Sequence, residues 1–280
     1  MAIRKPVQVI HGKETYDGAG VKLMRVFSHE EATSFDPFLL LDAFGSDEPE
    51  DYLPGFPMHP HRGIETVTYL LEGSVRHRDS TGSGGVIGPG DLQWMSAGSG
   101  ILHEEMPLNS PHGVHGLQLW VNLPSREKMS PPLYHGVSAV EIPVVPTGRG
   151  SVRVIAGSWG GANGPIIGIS RAPVYLDATL NGGANFSLDI PSGRTAFVYV
   201  LSGELHIVDS KAYVTGTCVL LGDGDEMVVS AGPEGARFVL VHAQPIGESI
   251  AWGGPIVMNT RAELELAFRE LDDGTFIKNA

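Results

Sequence analysis

The chain has 280 residues, of which 42% are hydrophobic, and its formal net charge is −13 at pH 7. That length accommodates two domains of ordinary size. The acidic balance argues against direct binding to nucleic acid or to an anionic membrane, because phosphate groups are held mainly by clusters of Lys and Arg. A single cysteine, Cys218, excludes an intrachain disulfide and a cysteine-rich zinc site.

The amino-terminal stretch MAIRKPVQVIHG carries early positive charge but no apolar stretch of the kind that a secretory signal needs. No apolar run along the chain is long enough for a transmembrane helix. A cytoplasmic location is therefore predicted. The 37 glycines and 20 prolines punctuate short alternating segments, and helix-length periodic runs are nearly absent, which predicts an all-β sandwich or barrel.

The stretch FPMHPHRGIETVTYLLEG, residues 56–73, places His59 and His61 one residue apart, ahead of an alternating run that ends in Glu72-Gly73. On a β-strand two such residues project to the same side, roughly 6.6 Å apart along the chain. Both histidines can therefore reach one metal ion. The run that follows is rich in β-branched and aromatic residues and predicts a strand entering a hairpin. Two solvated or hydrogen-bonded histidines are the alternative interpretation.

A second pair with the same spacing occurs in GSGILHEEMP, where His103 and Glu105 can face one way from a single strand. Inside a barrel the two pairs can converge as three imidazoles and a carboxylate, and this coincidence favours a metal site. The remaining histidines of this half have no matching spacing. We interpret them as surface or hydrogen-bonded residues: His77, His112, His115 and His135.

Further along the chain, HGLQLWVNL (residues 115–123) alternates with a period of two and predicts another strand. The polar, Pro-containing stretch 124–136 that follows is interpreted as a linker. The one helix predicted is terminal, because Thr260 and Glu263 form a capping-box pattern. Its apolar face is predicted to contain Leu264, Ala267, Phe268 and Leu271.

The two halves of the chain repeat one plan. YLLEGSVRH from Tyr69 is similar to YVLSGELHI from Tyr199, and VIGPGDLQWMSAG is similar to LLGDGDEMVVSAG. At the positions that match His59, His61 and Glu65, the second copy has Asp189, Pro191 and Thr195. The second copy is therefore expected to lack the metal site, and its Asp189 and Thr195 are expected to be replaceable without loss of metal.

Several long motifs of this sequence resemble the pirin family: DPFLLLDAFG, HPHRGIETVTYLLEG, GDLQWMSAGSGILHEEMP, HGLQLWVNLP and GPIVMNT. The resemblance implies an all-β fold of two cupin barrels (double-stranded β-helix, jelly-roll) with a short C-terminal helix. Residues 1–130 would form the metal-binding N-terminal barrel, and 131–280 a degenerate, metal-free C-terminal barrel carrying the helix. It further implies one metal ion, iron in most members, bound by His59, His61, His103 and Glu105, and quercetin 2,3-dioxygenase activity reported for several members.

The choice of carboxylate stays open on spacing alone. Ordinary cupins use a His-x-His pair, a Glu four residues on and one later His, which here gives His59, His61, Glu65 and His103. Glu65 is expected on the same strand face as the first pair, so it competes with Glu105. Two additional residues before His103 shift that histidine and favour Glu105 as the ligand. Glu65 is then expected to orient an imidazole by hydrogen bonding, so that Glu65→Gln keeps the metal with about 10–100-fold lower affinity.

Other residues are assigned weaker roles. Gln118 is a candidate to support the site from the polar side of its strand, and Arg62, which alternates to the other side, is interpreted as structural. Trp94, Met95 and Met106 are candidates either for an aromatic-ligand pocket or for plain core packing. Three imidazoles and one carboxylate suit Fe²⁺, with Mn²⁺, Co²⁺, Ni²⁺, Cu²⁺ or Zn²⁺ able to compete.

Three functional hypotheses follow. The first is a metal-dependent dioxygenase that cleaves a small aromatic substrate such as a flavonol with O₂, in which Glu105 takes the proton of the 3-hydroxyl. The second is an iron-dependent, redox-sensing regulatory protein that binds a protein partner without turnover. The third is a cupin whose ion only braces the barrel. We expect a monomer in each case, with the terminal helix packed on the first barrel or at the seam.

Overall fold

A computed structural model describes residues 2–208 and 211–279. The strands up to residue 137 are β1 (Pro6–His11), β2 (Lys13–Asp17), β3 (Val21–Phe27), β4 (Phe38–Ser46), β5 (Phe56–His61), β6 (Ile64–Glu72), β7 (Ser74–Asp79), β8 (Gly84–Ile87), β9 (Leu92–Ser96), β10 (Ile101–Leu108), β11 (Val114–Asn122) and β12 (Leu133–Val137). A one-turn helix, α1 (Pro49–Tyr52), lies between β4 and β5.

A 3₁₀ turn at Ala139–Glu141 precedes the next set of strands. These are β13 (Val144–Thr147), β14 (Gly150–Ala156), β15 (Ser158–Trp159), β16 (Ala162–Asn163), β17 (Val174–Leu180), β18 (Asn185–Asp189), β19 (Thr195–Ile207), β20 (Ala212–Val214), β21 (Thr217–Leu221) and β22 (Glu226–Ala243). The chain ends with β23 (Ala251–Gly253), β24 (Ile256–Met258) and α2 (Arg261–Asp272). None of the helices in the described ranges is long and apolar enough to cross a membrane.

The described residues divide into two compact units. The first barrel consists of Lys13–Ala139 with 246–279, and the second barrel consists of 2–12 with Val140–Pro245. This division differs from the predicted boundaries of 1–130 and 131–280 at both ends of the chain. Strand β1 pairs with β21 of the second barrel, whereas α2 contacts β23 and β24 in the first. Main-chain hydrogen bonding to a distant edge strand, which leaves no mark on the local sequence, decides where β1 belongs.

The first barrel is built from two antiparallel sheets. A seven-stranded sheet has the order β12-β9-β6-β11-β4-β3-β2, and a four-stranded sheet has the order β5-β10-β7-β8. Side chains alternate between the two faces of each strand, so every second residue points into the space between the sheets. Apolar side chains from both sheets meet at one end of that space: Leu23, Phe44, Leu70, Val75, Ile87 and Val114.

The second barrel has one nine-stranded antiparallel sheet, in which β1-β21-β19-β22-β17-β14-β13 form the main path. Strand β18 pairs with β22, and β20 pairs with β19. The 18-residue β22 and the 13-residue β19 are long enough to pair with different neighbours along their lengths. The interior is an apolar core that includes Val154, Leu176, Phe186, Val198, Phe238 and Leu240.

The predicted linker at 124–136 is wrong over its last part, since Leu133 opens β12, which pairs with β9. Lys128, within the same stretch, is only 1% exposed. Its Nζ donates to the carbonyl oxygens of Gly63 and Val257 and to Oδ1 of Asn122 at 2.6–2.9 Å. The segment therefore contains a buried, hydrogen-bonded lysine, while its Ser125 and Arg126 are exposed.

The terminal helix forms as predicted. Thr260 Oγ1 accepts a hydrogen bond from the Glu263 backbone N–H, and the Glu263 carboxylate accepts from the Thr260 backbone N–H. This capping box satisfies two backbone donors that have no partner within the helix. Leu264, Ala267 and Leu271 pack with β24 residues of the first barrel.

Candidate metal centre

Three histidines meet between the two sheets of the first barrel. His59 and His61 lie on β5, and His103 lies on the neighbouring strand β10, where it is directly opposite His59. One ring nitrogen from each histidine falls within 4.8 Å of the others. The predicted projection of His59 and His61 to one side of a strand is seen in the structure, because β5 is extended through both residues.

The hydrogen bonds of His59 and His61 determine which nitrogen each ring offers. His59 Nδ1 is 2.9 Å from the Pro57 carbonyl oxygen, and His61 Nδ1 is 3.0 Å from the Pro255 carbonyl oxygen. A carbonyl only accepts, so each Nδ1 carries a proton, and in the neutral form of each ring Nε2 has a free lone pair. The two Nε2 atoms are 3.1 Å apart. Two lone pairs at this separation repel each other unless a cation lies between them.

His103 has no polar partner at all. Its side chain is fully buried, and within the described ranges neither Nδ1 nor Nε2 makes a hydrogen bond. Burial, and then the neighbouring His61, hold the pKa of His103 well below its usual range. Burial also lowers the pKa of His61 to about 3. Both rings are therefore neutral at physiological pH and present lone pairs, as a metal ion requires.

These observations fit a divalent metal ion. Leaving a buried polar group without a partner costs about 1–3 kcal/mol, and here one unpartnered imidazole adjoins two facing lone pairs. The protein has therefore brought together nitrogen ligands that are mutually unfavourable in the absence of a cation. Neutral imidazoles are ligands for Fe, Zn, Cu and Ni ions alike, so the geometry is compatible with a metal ion and does not select which one.

Glu105 follows His103 on β10 and shares its inward face, as the alternating burial of that strand shows. Its carboxylate lies outside the group formed by the three histidines. Oε1 of Glu105 accepts a hydrogen bond of 2.7 Å from the Thr68 hydroxyl. The same hydroxyl is 2.8 Å from the side-chain oxygen position of Gln118. One hydroxyl has a single proton, so the Gln118 amide is best oriented with its NH₂ donating to Thr68, which donates to Glu105.

The expectation that Glu65 shares a face with His59 and His61 is wrong. Strand β5 ends at His61, and Gly63, with φ +78°, turns the chain before β6 begins at Ile64. The i, i+2 rule does not continue through a turn. Thr68 on β6 lines the cavity, so Glu65, three residues earlier, points to the opposite face. There it accepts a hydrogen bond of 3.2 Å from Trp94 Nε1.

A cavity of about 330 Å³ lies beside the histidines. Its walls include His59, His61, Glu105, Gln118, Trp120 and Trp252. None of the predicted pocket residues Trp94, Met95 and Met106 is among its lining residues. Trp94 and Met95 are fully buried, so the core alternative holds for both. The aromatic walls come instead from Trp120, at 5.0 Å between ring centroids from His61, and from Trp252, which stacks on His29.

Two contributions to the site were not predicted from the sequence. The Pro255 carbonyl that fixes the His61 tautomer is about two hundred residues away along the chain, and nothing local marks it. His77 is buried beside His103, at 5.4 Å between ring centroids, with Gln93 on Nδ1 and Asp79 on Nε2. The alternation of His77 with Asp79 was the available signal, because it repeats the His-x-acid spacing of His103 and Glu105.

Arg62 is structural, as predicted. It points away from the cavity and donates to the Ser99 carbonyl and the Phe276 carbonyl, each at 2.7 Å. It also forms an ion pair with Glu270 of α2, and its guanidinium lies over the Phe276 ring. The residue next to the metal-site pair thus fastens the C-terminal segment, which carries Pro255, to the first barrel.

The fold and this site define a two-barrel cupin protein whose described residues include one three-histidine centre, in the first barrel. Residues 20–121 match the family model described as Pirin, and residues 175–277 match the one described as Pirin C-terminal cupin domain. The chain belongs to the pirin family.

Relatives and solved structures agree over almost the whole chain. The chain is 46% identical to a pirin-like protein of Caulobacter vibrioides, covering 99% of this chain and all of that protein. It is 42% identical to human pirin, covering 97% of this chain and 94% of the relative. A crystal structure of quercetin 2,3-dioxygenase from Acinetobacter baumannii superposes with a TM-score of 0.90 at 36% identity, covering 98% of this chain and 99% of the other.

Proposed function

We propose that the first barrel binds one divalent metal ion, Fe²⁺ in the first instance, through His59, His61, His103 and Glu105. We further propose that the protein uses O₂ to cleave a flavonol such as quercetin. The observation that carries the metal site is the 3.1 Å approach of the two unprotonated Nε2 atoms of His59 and His61. The reaction is supported by the similarity to the Acinetobacter baumannii quercetin 2,3-dioxygenase over the full chain.

The bound ion would act as a Lewis acid, orient substrate and O₂ and, if redox active, provide a route for electrons. Three neutral imidazoles and one carboxylate leave one net positive charge on a divalent ion. That charge suits a deprotonated phenol. A second carboxylate would cancel it, and Glu65 is held on the opposite face of β6 by Trp94.

Glu105 is the proposed base for the 3-hydroxyl of the substrate. The Thr68 hydroxyl already donates to one of its oxygens, so the other oxygen is the one available to a ligand or a proton. Gln118 holds Thr68 in turn. This chain of hydrogen bonds fixes the orientation of the carboxylate, and a fixed base is more effective than a mobile one.

The cavity walls suit a flat aromatic substrate. Trp120 and Trp252 lie 5.9 Å apart between ring centroids, and both line the cavity beside His61. Aromatic side chains contribute large apolar contact areas and favourable ring-to-ring contacts. The volume of about 330 Å³ lies within the range of small-molecule sites, which is roughly 300–1,000 Å³.

The test combines metal analysis of anaerobically purified protein with quercetin turnover under air. Glu105→Ala is expected to lose or greatly weaken metal binding and to abolish turnover. Glu65→Gln is the matched control. Because Glu65 points away from the histidines, we now expect this variant to keep its metal, rather than show the loss of affinity that its spacing predicted.

Metal retained by Glu105→Ala and lost by Glu65→Gln would overturn the ligand assignment. A wild-type protein that is fully loaded with iron but leaves quercetin unchanged under air would instead favour the regulatory hypothesis, in which the metal controls binding of a protein partner. The two failures are distinguishable, because the first concerns metal content and the second concerns turnover at full metal content.

A further inference from the structure

The second barrel contains a cavity of its own, with a volume of about 470 Å³. It lies where β22 ends, and the loop before β17 forms one wall. The lining residues include Ile166, Ile169, Pro173, Val174, Leu188, Asp189, Pro191, Arg194 and His242. All of them belong to the second barrel, and the cavity is separate from the candidate metal centre.

The position of this cavity corresponds to the mouth of the metal-site cavity. In the first barrel Trp120 pairs with Leu40 and Thr66, and it lines the metal-site cavity. In the second barrel His242 pairs with Val174 and Ala196 through the equivalent strands. The second barrel thus retains the mouth of a cupin site and replaces an aromatic residue there with a polar one.

Hydrogen bonding fixes the protonation of His242. Arg194 Nε donates to His242 Nδ1 at 2.7 Å, so Nδ1 is an acceptor and the proton of the neutral ring is on Nε2. The side chain is only 3% exposed, and the ring lines the cavity. Within the described part of the chain Nε2 has no hydrogen-bond partner. The imidazole therefore offers one N–H donor from a buried position.

Arg194 offers further donors. Its Nη2 binds the carbonyl oxygens of Ala172 and His242, while its Nη1 has no partner among the described residues. No carboxylate in those residues contacts it. Burial and the neighbouring guanidinium groups of Arg171 and Arg4 lower the pKa of Arg194. Burial is the larger cause, and an anion in the cavity would relieve the repulsion among these guanidinium groups.

The surrounding charges favour an anion even though the protein carries a net charge of −13. Arg171 donates only to Gln244 and to the Pro245 carbonyl. Arg4 is fully buried, and its carboxylate partner is Asp223. The acidic residue on the cavity is Asp189, which is exposed on β18 and is therefore screened by solvent. The cationic pair of Arg194 and Arg171 has no carboxylate contact of its own.

We propose that the cavity of the second barrel binds a small organic carboxylate, with Arg194 Nη1 as the donor to its oxygens and His242 Nδ1 holding the guanidinium in place. A guanidinium suits a planar, two-oxygen anion. The remaining walls, from Ile166, Ile169, Pro173, Val174 and Leu188, suit an apolar body. The ligand class is therefore an aromatic or branched aliphatic monocarboxylate, and inorganic phosphate is expected to bind more weakly.

The test is calorimetric titration of the full-length protein with sodium benzoate at constant ionic strength. Wild type is expected to bind one benzoate at this site, and Arg194→Gln to weaken the affinity at least tenfold, as loss of a charge-assisted contact does. Arg171→Gln is the matched control. It removes the same charge from a neighbouring residue that does not line the cavity, and we expect less than a threefold change.

Two further variants keep the test decisive. His242→Phe preserves ring volume and removes the Nδ1 acceptor that holds Arg194, so it is expected to weaken benzoate binding even if Arg194→Gln folds poorly. His61→Ala alters the candidate metal centre and is expected to leave this binding unchanged. Absence of benzoate binding to wild type, equal binding by both arginine variants, or phosphate binding tighter than benzoate would overturn the proposal. Loss of binding in His61→Ala alone would place the carboxylate at the metal and would overturn it equally.

Discussion

The interiors of the two barrels differ at equivalent positions of the same strand ladder. Gly73 and Gly203, both with φ +77°, mark the equivalent turns from which the strands can be aligned. One row of cross-strand neighbours in the first barrel is Arg25, Asp42, Gln118, Thr68 and Gln93. The corresponding row in the second barrel is Val154, Leu176, Leu240, Val198 and Val219.

The polar row is stable because its members are bonded to one another. Arg25 binds both oxygens of the Asp42 carboxylate at 2.8–3.0 Å, and Thr68 bridges Gln118 and Glu105. Without such partners a buried polar group destabilises a core. The apolar row fills the same space with close-packed side chains, and the cavity of the second barrel lies outside this row, where β22 ends. One fold thus supports an open polar site in one barrel and a filled core in the other.

The metal position shows the same contrast. In the first barrel β5 and β10 bring His59 opposite His103. In the second barrel the corresponding strands, β18 and β22, bring Asp189, the match of His59, opposite Glu226, and the next pairs are apolar, with Leu188 opposite Met227 and Phe186 opposite Val229. The comparison shows that the ligands, rather than the barrel, determine where chemistry is possible.

The largest effect is expected on metal content. His103→Ala removes the central imidazole of the site, and we expect the bound metal to fall from about one equivalent to background. Asp189→Ala and Thr195→Ala alter the equivalent region of the second barrel and are expected to change nothing. Metal analysis of purified protein measures this. Loss of metal from either second-barrel variant would show that the filled barrel also contributes ligands.

The next comparison uses two glycines at equivalent turns. A Cβ at Gly63 would lie 2.0 Å from the Val257 carbonyl oxygen, whereas a Cβ at Gly193 meets nothing within 4 Å. Both have positive φ, +78° and +80°. We expect Gly193→Ala to lower the free energy of unfolding by about 1 kcal/mol from backbone strain. Gly63→Ala should lower the free energy of unfolding by more than about 3 kcal/mol and displace His61. Urea denaturation measures both, and equal losses would contradict the role of the Val257 contact.

A reciprocal exchange tests the row of interior residues. Leu240→Gln places an amide among Leu176 and Val198, where no partner exists, and is expected to lower the free energy of unfolding by about 3 kcal/mol. Gln118→Leu removes one hydrogen bond to Thr68 in the first barrel and should lower the free energy of unfolding by about 1 kcal/mol. Thermal or urea unfolding compares them. If Gln118→Leu were the more damaging variant, the polar row would be a determinant of stability and not only of function.

The last comparison concerns pH. Burial lowers the pKa of His242 to about 3, below its unfolded value. Between pH 6.5 and about 3 the unfolded chain binds a proton that His242 in the folded protein does not bind. The contribution of His242 to the free energy of unfolding is therefore complete above pH 6.5 and is lost as the pH falls. Between pH 6.5 and 5 the free energy of unfolding of His242→Phe should therefore fall by about 2 kcal/mol less than that of wild type. Parallel pH profiles for the two proteins would contradict a buried neutral imidazole.

Local sequence patterns determined much of this protein. Alternation and turn residues predicted β6 and β11, the capping box predicted α2, and the His-x-His spacing predicted that His59 and His61 project together. These predictions succeed because each depends on residues within one strand or one helical turn, where backbone geometry alone relates the side chains. The internal repeat also predicts a second barrel without the metal ligands, and this stays a prediction.

Tertiary structure determined the features that depend on turns and on contacts between distant segments. The turn at Gly63 reversed the face of Glu65, and pairing of β1 with β21 assigned the first residues of the chain to the second barrel. The C-terminal segment brought the Pro255 carbonyl to His61 and so set which nitrogen is free. Arg194 and His242, nearly fifty residues apart in sequence, came into hydrogen-bond contact only through the pairing of β19 with β22. Such relations depend on contacts between distant segments, and no local pattern records them because each partner residue is also compatible with another environment.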